Sequence, residues 1–385
     1  MVFPLHDADR FMTPTVLQVL HQGGGAGSVT STLHLSLGLA RLGMHVRFVC
    51  PPASEVESLA RARGLEVHSV ALLPHRRRGN AAALAEVLAR HPVDVINSQS
   101  ARDREALTWL ALTGRLRAPF IATRRQMPRT FIVENWLVGR AAARVVAVSR
   151  AVGEALVRRG TPRKKLTVIP NGLVAERIDV PVTSAAVQQW KQRIGWNPGQ
   201  RTIGVVARPK DQHVVLRALA QVRTPIRLVL AGVEPGSSLA TLAAAVPQPH
   251  AVVCLPFTSD VRPLYELLEL VLLPSRSEGL SQALLEGMAL GKPVIASAAT
   301  SNLEVVTDRV NGRLVAPLDA RAWALAIEEL LGVPEQASRL AAAARETARV
   351  TFALEHTVHR TARLYEDVLT RFPQPRTRVP GAAAW

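Results

Sequence analysis

The stretch that decides the fold spans residues 270–297 and reads LVLLPSRSEGLSQALLEGMALGKPVIAS. It begins with the apolar run Leu270–Leu273 and ends with the β-type run Pro293–Ser297. Between these runs lie a Gly-Leu-Ser turn, an apolar segment of helical period, and the helix-stopping residues 291–293, Gly-Lys-Pro. This succession of strand, loop, helix and strand predicts one βαβ unit of a parallel sheet.

Two carboxylates frame the loop and the helix of this unit. Glu278 precedes the turn, and Glu286 follows eight positions later, about two turns into the helix. The backbone N–H groups of Gly279, Leu280 and Ser281 would lie at the helix N-terminus, which favours an anion such as phosphate. A phosphate site with carboxylates placed for sugar hydroxyls indicates a nucleotide-sugar ligand.

Length and composition indicate a globular protein of two domains. The chain has 385 residues, of which 48% are hydrophobic and 20% charged, enough to form two cores. The first eleven residues carry acidic and basic side chains and do not resemble a secretory signal. No apolar stretch of about 20 residues that could span a membrane is found either. A cytoplasmic location is therefore expected.

Neither a metal site nor a redox pair is indicated by residue spacing. The two cysteines, Cys50 and Cys254, lie far apart in apolar runs, which indicates reduced core residues. The histidines outside the candidate loops are scattered, so no metal-ligand cluster is expected. They include His6, His34, His45, His68 and His91.

The charge of the chain indicates an anionic partner. The net charge is +17 and the pI about 11.3. Up to Val180, 25 Lys and Arg face 13 Asp and Glu, a balance of +12, whereas the remainder holds 22 against 17, a balance of +5. Such a charge attracts nucleic acid, anionic lipid or anionic glycan, unless the cations are only spread over solvated faces. Aromatic residues make up only 4%, so few side chains could stack on bases, and nucleic acid is not expected as the partner. An anionic membrane surface that the protein contacts peripherally is expected instead.

Apolar, β-rich runs alternate with helical patterns along the chain. The predicted strands are Thr15–Leu20, His45–Cys50, Val93–Asn97, Pro119–Ala122, Arg144–Ser149, Leu166–Ile169, Thr202–Val206, Ile226–Ala231, Ala251–Leu255, Leu270–Leu273 and Pro293–Ser297. The predicted helices include Thr30–Leu42, Ala81–Arg90, Ala151–Arg159, Val214–Gln221 and Ala320–Leu331. Near-continuous Val, Ile and Leu runs are typical of parallel strands buried on both faces. Because the alternation occurs twice, we predict an α/β protein with two Rossmann-like, doubly wound parallel-sheet domains.

A turn signal, Pro-Asn-Gly at residues 170–172, and the linker-like stretch after it separate the predicted domains. We assign residues 1–178 to an N-terminal domain and residues 179–353 to a C-terminal domain. The last helical pattern, at about 354–370, has no strand after it and is expected to complete the first domain. Residues 371–385, rich in Pro and Ala, are predicted to form a tail.

A glycine-rich loop joins the first predicted strand to the first helix. It reads HQGGGAGS over residues 21–28, where Gly24 and Gly25 would let the backbone approach a ligand beside a helix N-terminus. The loop lacks the G-x-G-x-x-G order, and no acidic residue ends the next strand, so a dinucleotide site is not indicated. A tight turn without a ligand is the alternative.

Two loops of the second domain carry further candidates. Arg208 and Lys210 follow its first strand, at the end where ligands bind in open α/β sheets. Two cations there would neutralise a diphosphate leaving group without a metal. Leu255 and Phe257 end another strand at the same edge and would line a base pocket with their backbone. Each loop alone is compatible with an ordinary solvated loop, but their convergence with the Glu278 loop indicates one site.

Together these features resemble a known family. The block SEGLSQALLEGMALGKPVIAS, residues 277–297, is similar to the E-x7-E signature of retaining glycosyltransferase family 4, which has the GT-B fold. The glycine-rich loop, the sequence VIPNG, an R-x-K loop, and Glu304 with Asn311-Gly312 follow the family order, so the resemblance spans roughly residues 15–370. It implies two Rossmann-like domains facing a cleft. It also implies an enzyme resembling bacterial transferases of lipopolysaccharide and cell-surface glycans.

The resemblance implies a role for each matched residue. Glu278 would contact the donor sugar, Glu286 would bind the ribose hydroxyls, and Arg208 with Lys210 would hold the diphosphate. The implied reaction moves a sugar from a nucleotide-diphosphate sugar to a hydroxyl of a glycan or lipid-linked acceptor, with retention of configuration. The nucleotide sugar is a co-substrate, and neither a metal nor another cofactor is expected.

The first domain departs from the family pattern at one residue. The sequence VINSQSARDR, residues 95–104, has Gln99 where a subgroup has His in N-[ST]-H-S. A Gln can hydrogen-bond a sugar hydroxyl but cannot titrate, and we count it among the catalytic candidates. Asp103, Arg124 and Arg125 occupy matching loop positions and are predicted to contact the acceptor.

Two other interpretations remain open. A sugar-nucleotide epimerase of the same fold would use the same cleft and would need no acceptor. A non-catalytic, transferase-like protein would dock its basic face on an anionic surface. Gln99 favours this last interpretation, whereas Lys210 and the Glu278/Glu286 pair oppose it.

Overall fold

The structure is a computed structural model that describes residues 13–24, 27–258 and 260–372, with the side chains of residues 176 and 177 excepted. Gly25, one of the two glycines predicted to approach a ligand, lies outside the described residues. The described chain forms two parallel β-sheets, of seven and six strands, with helices between the strands. This confirms the predicted α/β fold with two Rossmann-like domains.

The first domain is built outward from its central strands. Its strands are β1 (Thr15–Val19), β2 (His45–Cys50), β3 (Glu66–Ser69), β4 (Val95–Ser98), β5 (Phe120–Arg124), β6 (Arg144–Ala147) and β7 (Leu166–Val168). Their order is β3-β2-β1-β4-β5-β6-β7, and all neighbours are parallel. The helices are α1 (Gly27–Arg41), α2 (Glu55–Ala62), α3 (Arg77–Arg90), α4 (Ala101–Leu112), α5 (Ile132–Ala141), α6 (Arg150–Arg158) and α7 (Ala175–Asp179). The strand order therefore reverses between β1 and β4.

The second domain repeats this plan. Its strands are β8 (Arg201–Val206), β9 (Ile226–Ala231), β10 (Ala251–Leu255), β11 (Leu270–Leu273), β12 (Val294–Ser297) and β13 (Arg313–Val315). Their order is β10-β9-β8-β11-β12-β13, again with parallel neighbours. The helices are α8 (Ser184–Ile194), α9 (His213–Leu219), α10 (Ser238–Ala244), α11 (Arg262–Leu267), α12 (Gln282–Ala289), α13 (Asn302–Val305), α14 (Ala320–Gly332) and α15 (Pro334–Glu346). Here the order reverses between β8 and β11.

The last helix, α16 (Leu354–Arg371), packs on the first domain. A Cβ atom on Gly38 of α1 would lie 2.4 Å from Val358 Cγ2, so only glycine permits this approach of the two helices. Tyr365 is fully buried, and its hydroxyl accepts a hydrogen bond from Gln18 Nε2 of β1 at 2.9 Å. Within the described ranges, no helix combines the length and the apolar character needed to cross a membrane.

The central strands are buried along their whole length, as parallel strands covered on both faces should be. Every residue of β4, β5, β11 and β12 is buried. Three of these strands nevertheless end in polar side chains, with Asn97 and Ser98 closing β4, Arg124 closing β5 and Ser297 closing β12. Polar groups buried at the carboxyl ends of central strands need internal partners.

The prediction missed two short strands, β3 and β13. They read EVHS and RLV and carry too few apolar residues to stand out from the surrounding loops. Both lie at the edge of a sheet and pair on one side only, where a mixed composition is tolerated. The helix predicted from Ala81 begins at Arg77. The prediction starts too late because the first turn of the helix is basic and shows no apolar period.

Candidate functional site

The candidate site lies where the sheets reverse their strand order. In the second sheet, β8 and β11 are neighbours, but the chain leaves β8 toward β9 and later continues from β11 toward β12. Loops that diverge in this way leave a crevice at the carboxyl ends of the strands, the usual ligand position of open α/β sheets. The loop after β8 holds Arg208 and Lys210, and the loop after β11 holds Glu278.

Lys210 and Glu278 form an ion pair across this crevice. The Lys210 ammonium donates a hydrogen bond to Glu278 Oε1. The Glu278 side chain is 11% exposed and the Lys210 side chain 36%, so the pair bridges the protein interior and the solvent. The backbone N–H of Glu278 donates to the Thr300 hydroxyl at 3.1 Å, which ties the loop to the end of β12. Three strand ends thus hold one cation and one carboxylate together.

The helix α12 begins directly after the Glu278 loop. Ser281 is its N-cap and accepts the N–H of Leu284 at 3.3 Å. Leu280, before the cap, is buried and anchors the loop. Glu286 is half-buried on the second turn of the helix, and its charge contributes to the raised pKa of Arg262, after the hydrogen bonds that Arg262 makes to Asp260. The strand, turn and helix predicted for residues 270–297 are therefore all present.

Gly279 brings the two domains into contact. A Cβ atom at this position would lie 2.0 Å from the carbonyl oxygen of Arg125 and 3.2 Å from Gln126 Cα. These are backbone atoms, which cannot swing aside as the end of a flexible side chain can. Only glycine fits between the domains in this arrangement, and this explains the residue that follows Glu278.

Glu304 makes a second contact between the domains. It lies on α13, and its carboxylate accepts the backbone N–H groups of Arg150 and Ala151 at 2.8 Å each. These two residues begin α6. The first N–H groups of a helix have no partner within the helix and carry a partial positive charge. A carboxylate of the second domain therefore caps a helix of the first.

In the first sheet, the loop after β4 is held by a buried carboxylate. Asp103 accepts the backbone N–H groups of Gln99 and Ser100 at 2.7 and 2.8 Å, and it accepts the Ser100 hydroxyl. Its side chain is fully buried, and it contacts His21 Nδ1 at 3.1 Å. Both carboxylate oxygens thus hold the start of α4, and the contact of Asp103 with an acceptor stays a prediction.

Gln99 lies in a buried polar network at the end of β4. Its amide NH2 donates to Gln18 Oε1 at 2.7 Å, and its Oε1 accepts from Arg125 Nη2 at 2.8 Å. Gln99 is 2% exposed, and Arg125 also donates to Asn171. A neutral side chain suits this place, because a histidine that gained a proton beside the Arg125 guanidinium would be repelled.

The two arginines that close β5 have different surroundings. Arg125 enters the network of Gln99, whereas Arg124 Nη1 donates to Asn135 Oδ1 of α5 at 3.0 Å. Burial lowers the pKa of Arg124 to about 9, with a further contribution from the charge of Arg104, and burial lowers the pKa of Arg125 to about 10. Both guanidinium groups remain charged at neutral pH. Of the two arginines, Arg125 is the one whose backbone is found against Gly279 of the Glu278 loop.

The remaining predicted residues lie at or just after the ends of β8, β10 and β1. Arg208 is exposed, and Phe257 is 51% exposed. Leu255 is buried, and its carbonyl oxygen accepts two backbone N–H groups from the loop after β9, at 2.8 and 2.9 Å. Gly24 is half-buried in the loop between β1 and α1. Their roles in binding a donor stay predictions.

His21 was not singled out from the sequence, although it directly follows a central strand. Its Nδ1 lies 2.6 Å from Ser100 Oγ and 3.1 Å from Asp103 Oδ1. These contacts do not form a nucleophile relay, because serine and aspartate meet the same ring nitrogen and not opposite ones. They order the loop instead. The position of His21 at a carboxyl strand end was the signal that could have identified it.

The expectation that the histidines are scattered is wrong for three of them. His45, His68 and His91 lie around Glu66, at the β3 edge of the first sheet. Their spacing in sequence gave no sign of this, because strand pairing and the return of the chain after α3 bring them together.

Comparison with known families supports the interpretation of both domains. Residues 25–177 match the family model described as Glycosyltransferase Family 4, and residues 187–347 match the model described as Glycosyl transferases group 1. A relative from Mycobacterium marinum, a D-inositol 3-phosphate glycosyltransferase, is 32% identical over 204 residues, which are 50% of this chain and 43% of the relative. A relative of the same description from Xylanimonas cellulosilytica is 30% identical over 58% of this chain and 56% of its own length. The chain thus spans about half the length of these curated relatives.

Solved structures confirm the fold. The structure of Anabaena HepE in complex with UDP-glucose superposes with a TM-score of 0.79 at 20% identity, over 92% of this chain and all of that chain. WaaG, a glycosyltransferase involved in lipopolysaccharide biosynthesis, superposes with a TM-score of 0.67 at 16% identity, over 91% of this chain and 99% of that chain. Two facing Rossmann-like domains of this kind constitute the GT-B fold.

Proposed function

We propose that this chain, whose two domains match the family 4 and group 1 glycosyltransferase models, is a retaining glycosyltransferase. Its donor is a nucleotide-diphosphate sugar, and its acceptor is a hydroxyl of a glycan or a lipid-linked glycan. The observation that carries the proposal is the Lys210–Glu278 pair at the order reversal of the second sheet. Glu278 of this pair directly precedes Gly279, which contacts the backbone of the first domain.

The charges at the crevice suit a diphosphate leaving group. When the bond between the sugar and the phosphate breaks, negative charge develops on the diphosphate, and Lys210 and Arg208 lie at the strand end that would face it. The acceptor oxygen bonds to the anomeric carbon from the face that the phosphate leaves, and its proton passes to a phosphate oxygen. No enzymic nucleophile is needed, and two side-chain cations supply the positive charge that a metal would otherwise supply. The protein contributes positioning and charge stabilisation.

Glu278 and Glu286 divide the recognition of the donor between them. Glu278, already hydrogen-bonded to Lys210, contacts the sugar, and Glu286 on the second turn of α12 binds the ribose. The contact of Gly279 with the Arg125 backbone holds the first domain beside the crevice. Closure of the first domain over a bound donor would exclude water and protect the donor from hydrolysis.

A thermal-shift experiment tests the donor. UDP-glucose is the first ligand to use, because it is the ligand in the Anabaena HepE structure, followed by GDP- and ADP-sugars. A donor that binds the folded state raises the Tm by an amount set by its Kd, and Glu286→Ala should abolish this shift. Glu335→Ala, which removes an exposed carboxylate from the first turn of α15, should retain it.

Turnover then separates the candidate functions. A transferase consumes the donor only when an acceptor hydroxyl is present, whereas conversion of the nucleotide sugar into an epimer without acceptor would overturn the proposal. Failure of every nucleotide sugar to bind, together with salt-sensitive binding to anionic surfaces, would favour the non-catalytic alternative.

An exposed apolar patch beside a basic turn supports a lipid-linked acceptor. Four large side chains at the start of α5 are solvent-exposed: Phe131 by 82%, Ile132 by 62%, Val133 by 66% and Trp136 by 49%. Aromatic and aliphatic side chains on one short helical segment are typical of segments that enter the headgroup region of a bilayer. We call these four residues the α5 patch.

The basic turn lies directly against the α5 patch. A Cβ atom on Gly160 would contact Ile132 Cγ2 at 3.0 Å, and Arg159 donates to the carbonyl oxygen of Thr130 at 2.8 Å. The turn that contains these residues, 158–165, holds five cations. Burial and the charges of Arg144 and Lys164 lower the pKa of Lys165. Apolar side chains rimmed by cations fit the anionic surface of a membrane.

Co-sedimentation with vesicles tests this acceptor side. The protein should bind vesicles that contain anionic phospholipid, and less so as salt screens the basic turn. The double variant Phe131→Ser, Trp136→Ser should weaken binding by about tenfold or more, since each side chain contributes on the order of 1 kcal/mol of transfer free energy. Leu325→Ser, which removes a 62% exposed leucine from the second domain, is the matched control and should bind normally. Equal binding by neutral and anionic vesicles would contradict the assignment.

A further inference from the structure

A cluster of three histidines surrounds one carboxylate at the β3 edge of the first sheet. His45 Nε2 lies 2.8 Å from Glu66 Oε2, and His68 Nε2 lies 3.1 Å from Glu66 Oε1. His91 Nδ1 lies 3.9 Å from the same Oε1 atom. The rings of His68 and His91 are tilted against each other by 38°, with their centroids 4.2 Å apart.

The fold itself brings these residues together. Strand β3 pairs with β2 so that Glu66 lies opposite Arg47 and His68 opposite Val49, and Glu66 and His68, two positions apart, share one face of the sheet. His91 is the C-cap of α3, where the chain returns to this edge before β4 begins. The cluster lies at the β3 edge of the first sheet, whereas the backbone that meets the Glu278 loop follows β5, four strands away along the sheet. The proposed transfer reaction therefore does not use the cluster.

We propose that Glu66, His68 and His91 bind a divalent transition-metal ion of the zinc class. Their ligand atoms all lie within 4.8 Å of one another, close enough for small side-chain rotations to place them around one ion. Two imidazoles and one carboxylate are a common set for Zn²⁺, Co²⁺ and Ni²⁺, with a remaining position for water. The side chains are partly accessible, from 16% for His68 to 37% for His91, so an ion can reach them.

His45 and Arg47 position the carboxylate. His45 contacts the Glu66 oxygen opposite to the one that faces His68 and His91, as outer partners of metal-bound carboxylates do. Arg47 Nε lies 3.0 Å from the Glu66 carboxylate, and its Nη1 donates to the carbonyl oxygen of Pro92 at 2.6 Å. Arg47 thereby joins the strand that carries Glu66 to the turn that carries His91. A bound ion would cross-link β3 to the end of α3 and stabilise this edge of the first domain.

Zinc titration of the untagged, full-length, metal-stripped chain tests the site. Calorimetry should give one Zn²⁺ per chain, and Co²⁺ should show the visible absorption of a low-coordinate site. His68→Gln and Glu66→Gln should each weaken Zn²⁺ binding by at least about tenfold, the smaller end of losses seen even for outer partners of metal ligands. His356→Gln, which removes an exposed histidine of α16, should leave the affinity unchanged.

A second readout keeps the test independent of transferase activity and of damage to the fold. Zn²⁺ should raise the Tm of the parent protein and of His356→Gln, but not the Tm of His68→Gln, whatever its Tm without metal. Absence of stoichiometric binding, or equal affinity in the parent and in both cluster variants, would show that the cluster is only a hydrogen-bonded network of histidine, glutamate and arginine.

Discussion

The two domains are built on one plan, but the carboxyl ends of their central strands are used differently. In the first sheet, polar residues at these ends bond to one another inside the protein, and Gln18, Asn97 and Gln99 are at most 2% exposed. In the second sheet, Lys210 and Glu278 meet at the surface of an open crevice. The same position in the same fold is therefore closed in one domain and available in the other.

The difference determines in which domain a ligand can replace existing hydrogen bonds or ion pairs at a low cost in free energy. A buried hydrogen bond that is left unmade costs about 1–3 kcal/mol, so a ligand gains little by breaking the first network. A partly exposed ion pair contributes at most about 1 kcal/mol, so a diphosphate can take the place of Glu278 beside Lys210 at small cost. We infer that the first domain forms a rigid wall and that the second domain supplies the chemistry.

The largest expected effect is loss of the Lys210 cation. In Lys210→Met, kcat should fall by about 10²–10³-fold, the usual cost of removing one group that stabilises transition-state charge. The Tm should change little, because the ion pair is partly exposed. The measurement is the rate of sugar transfer at saturating donor, with circular dichroism to verify folding.

Lys191→Met is the control for this prediction. Lys191 lies over the Trp196 ring at 4.5 Å, on the second domain but outside the crevice loops. Its removal should leave kcat unchanged. A Lys210→Met enzyme with parental kcat would remove the distinction between the two sheets.

The next largest effect is expected at the contact between the domains. In Gly279→Ala, the new Cβ atom would lie 2.0 Å from the Arg125 carbonyl oxygen, so the wall can no longer approach the crevice. A displacement on this scale lowers rates by about 10²-fold. Transfer kinetics, together with small-angle scattering in the presence of donor, should show a slower and more open enzyme.

Gly332→Ala is the matched glycine variant. Apart from its chain neighbours and the backbone of its own helix, nothing lies within 4 Å of its added Cβ, and Gly332 ends α14 on the surface. This variant should match the parent in rate and in shape. If Gly279→Ala also matches the parent, the domains do not meet through this loop during turnover.

In the first domain, the expected effect is on stability and not on rate. Tyr365→Phe removes the hydroxyl that accepts Gln18 Nε2 at 2.9 Å and Asn97 Nδ2 at 2.7 Å. The free energy of unfolding should fall by about 1–3 kcal/mol, while kcat at a temperature well below the Tm stays within a few-fold. Urea unfolding and transfer kinetics, measured on the same preparation, distinguish the two effects.

The pH dependence of stability provides a check on the same residue. Burial raises the pKa of Tyr365 from 10.0 to about 12, so the folded chain keeps the phenol proton to higher pH than the unfolded chain. Stability from this source is complete below pH 10 and is lost as the pH rises to about 12, by on the order of 2–3 kcal/mol. Tyr365→Phe should lack this alkaline loss, and an unchanged pH profile would contradict the burial of the phenol.

These contrasts also show what could be predicted from the sequence. The Glu278–Glu286 unit was predictable because its strand, cap and helix signals are local and follow one another along the chain. The buried network was not, since Tyr365 and Gln18 are separated by 347 positions. The contact of Gly279 with the Arg125 backbone, likewise, depends on how the domains meet, and the glycine alone predicts only a turn.

The surroundings of a residue were harder to predict from the sequence than its local secondary structure. Gln99 was expected at the sugar, and the structure places it in a network whose other members include Gln18 and Arg125. The histidines near Glu66 seemed isolated because no spacing rule connects β2, β3 and the end of α3. Pairing of strands and the return of helices determine such neighbours, and neither leaves a periodic signal in one sequence.

The smallest expected effect concerns Glu304, which joins the domains from the exposed side. In Glu304→Gln, one amide oxygen must replace two carboxylate oxygens that accept from Arg150 and Ala151, and the interaction of the negative charge with the α6 N-terminus is lost. Because the contact is exposed, we expect a loss of about 1 kcal/mol or less in the closed arrangement. This corresponds to a rise of KM by up to about fivefold, with kcat nearly unchanged, since the crevice groups are intact. Glu335→Gln, at an exposed helix start within the second domain, should leave KM unaltered. A large fall in kcat for Glu304→Gln would instead place this carboxylate among the groups that act on the donor, and the capping of α6 would then be secondary.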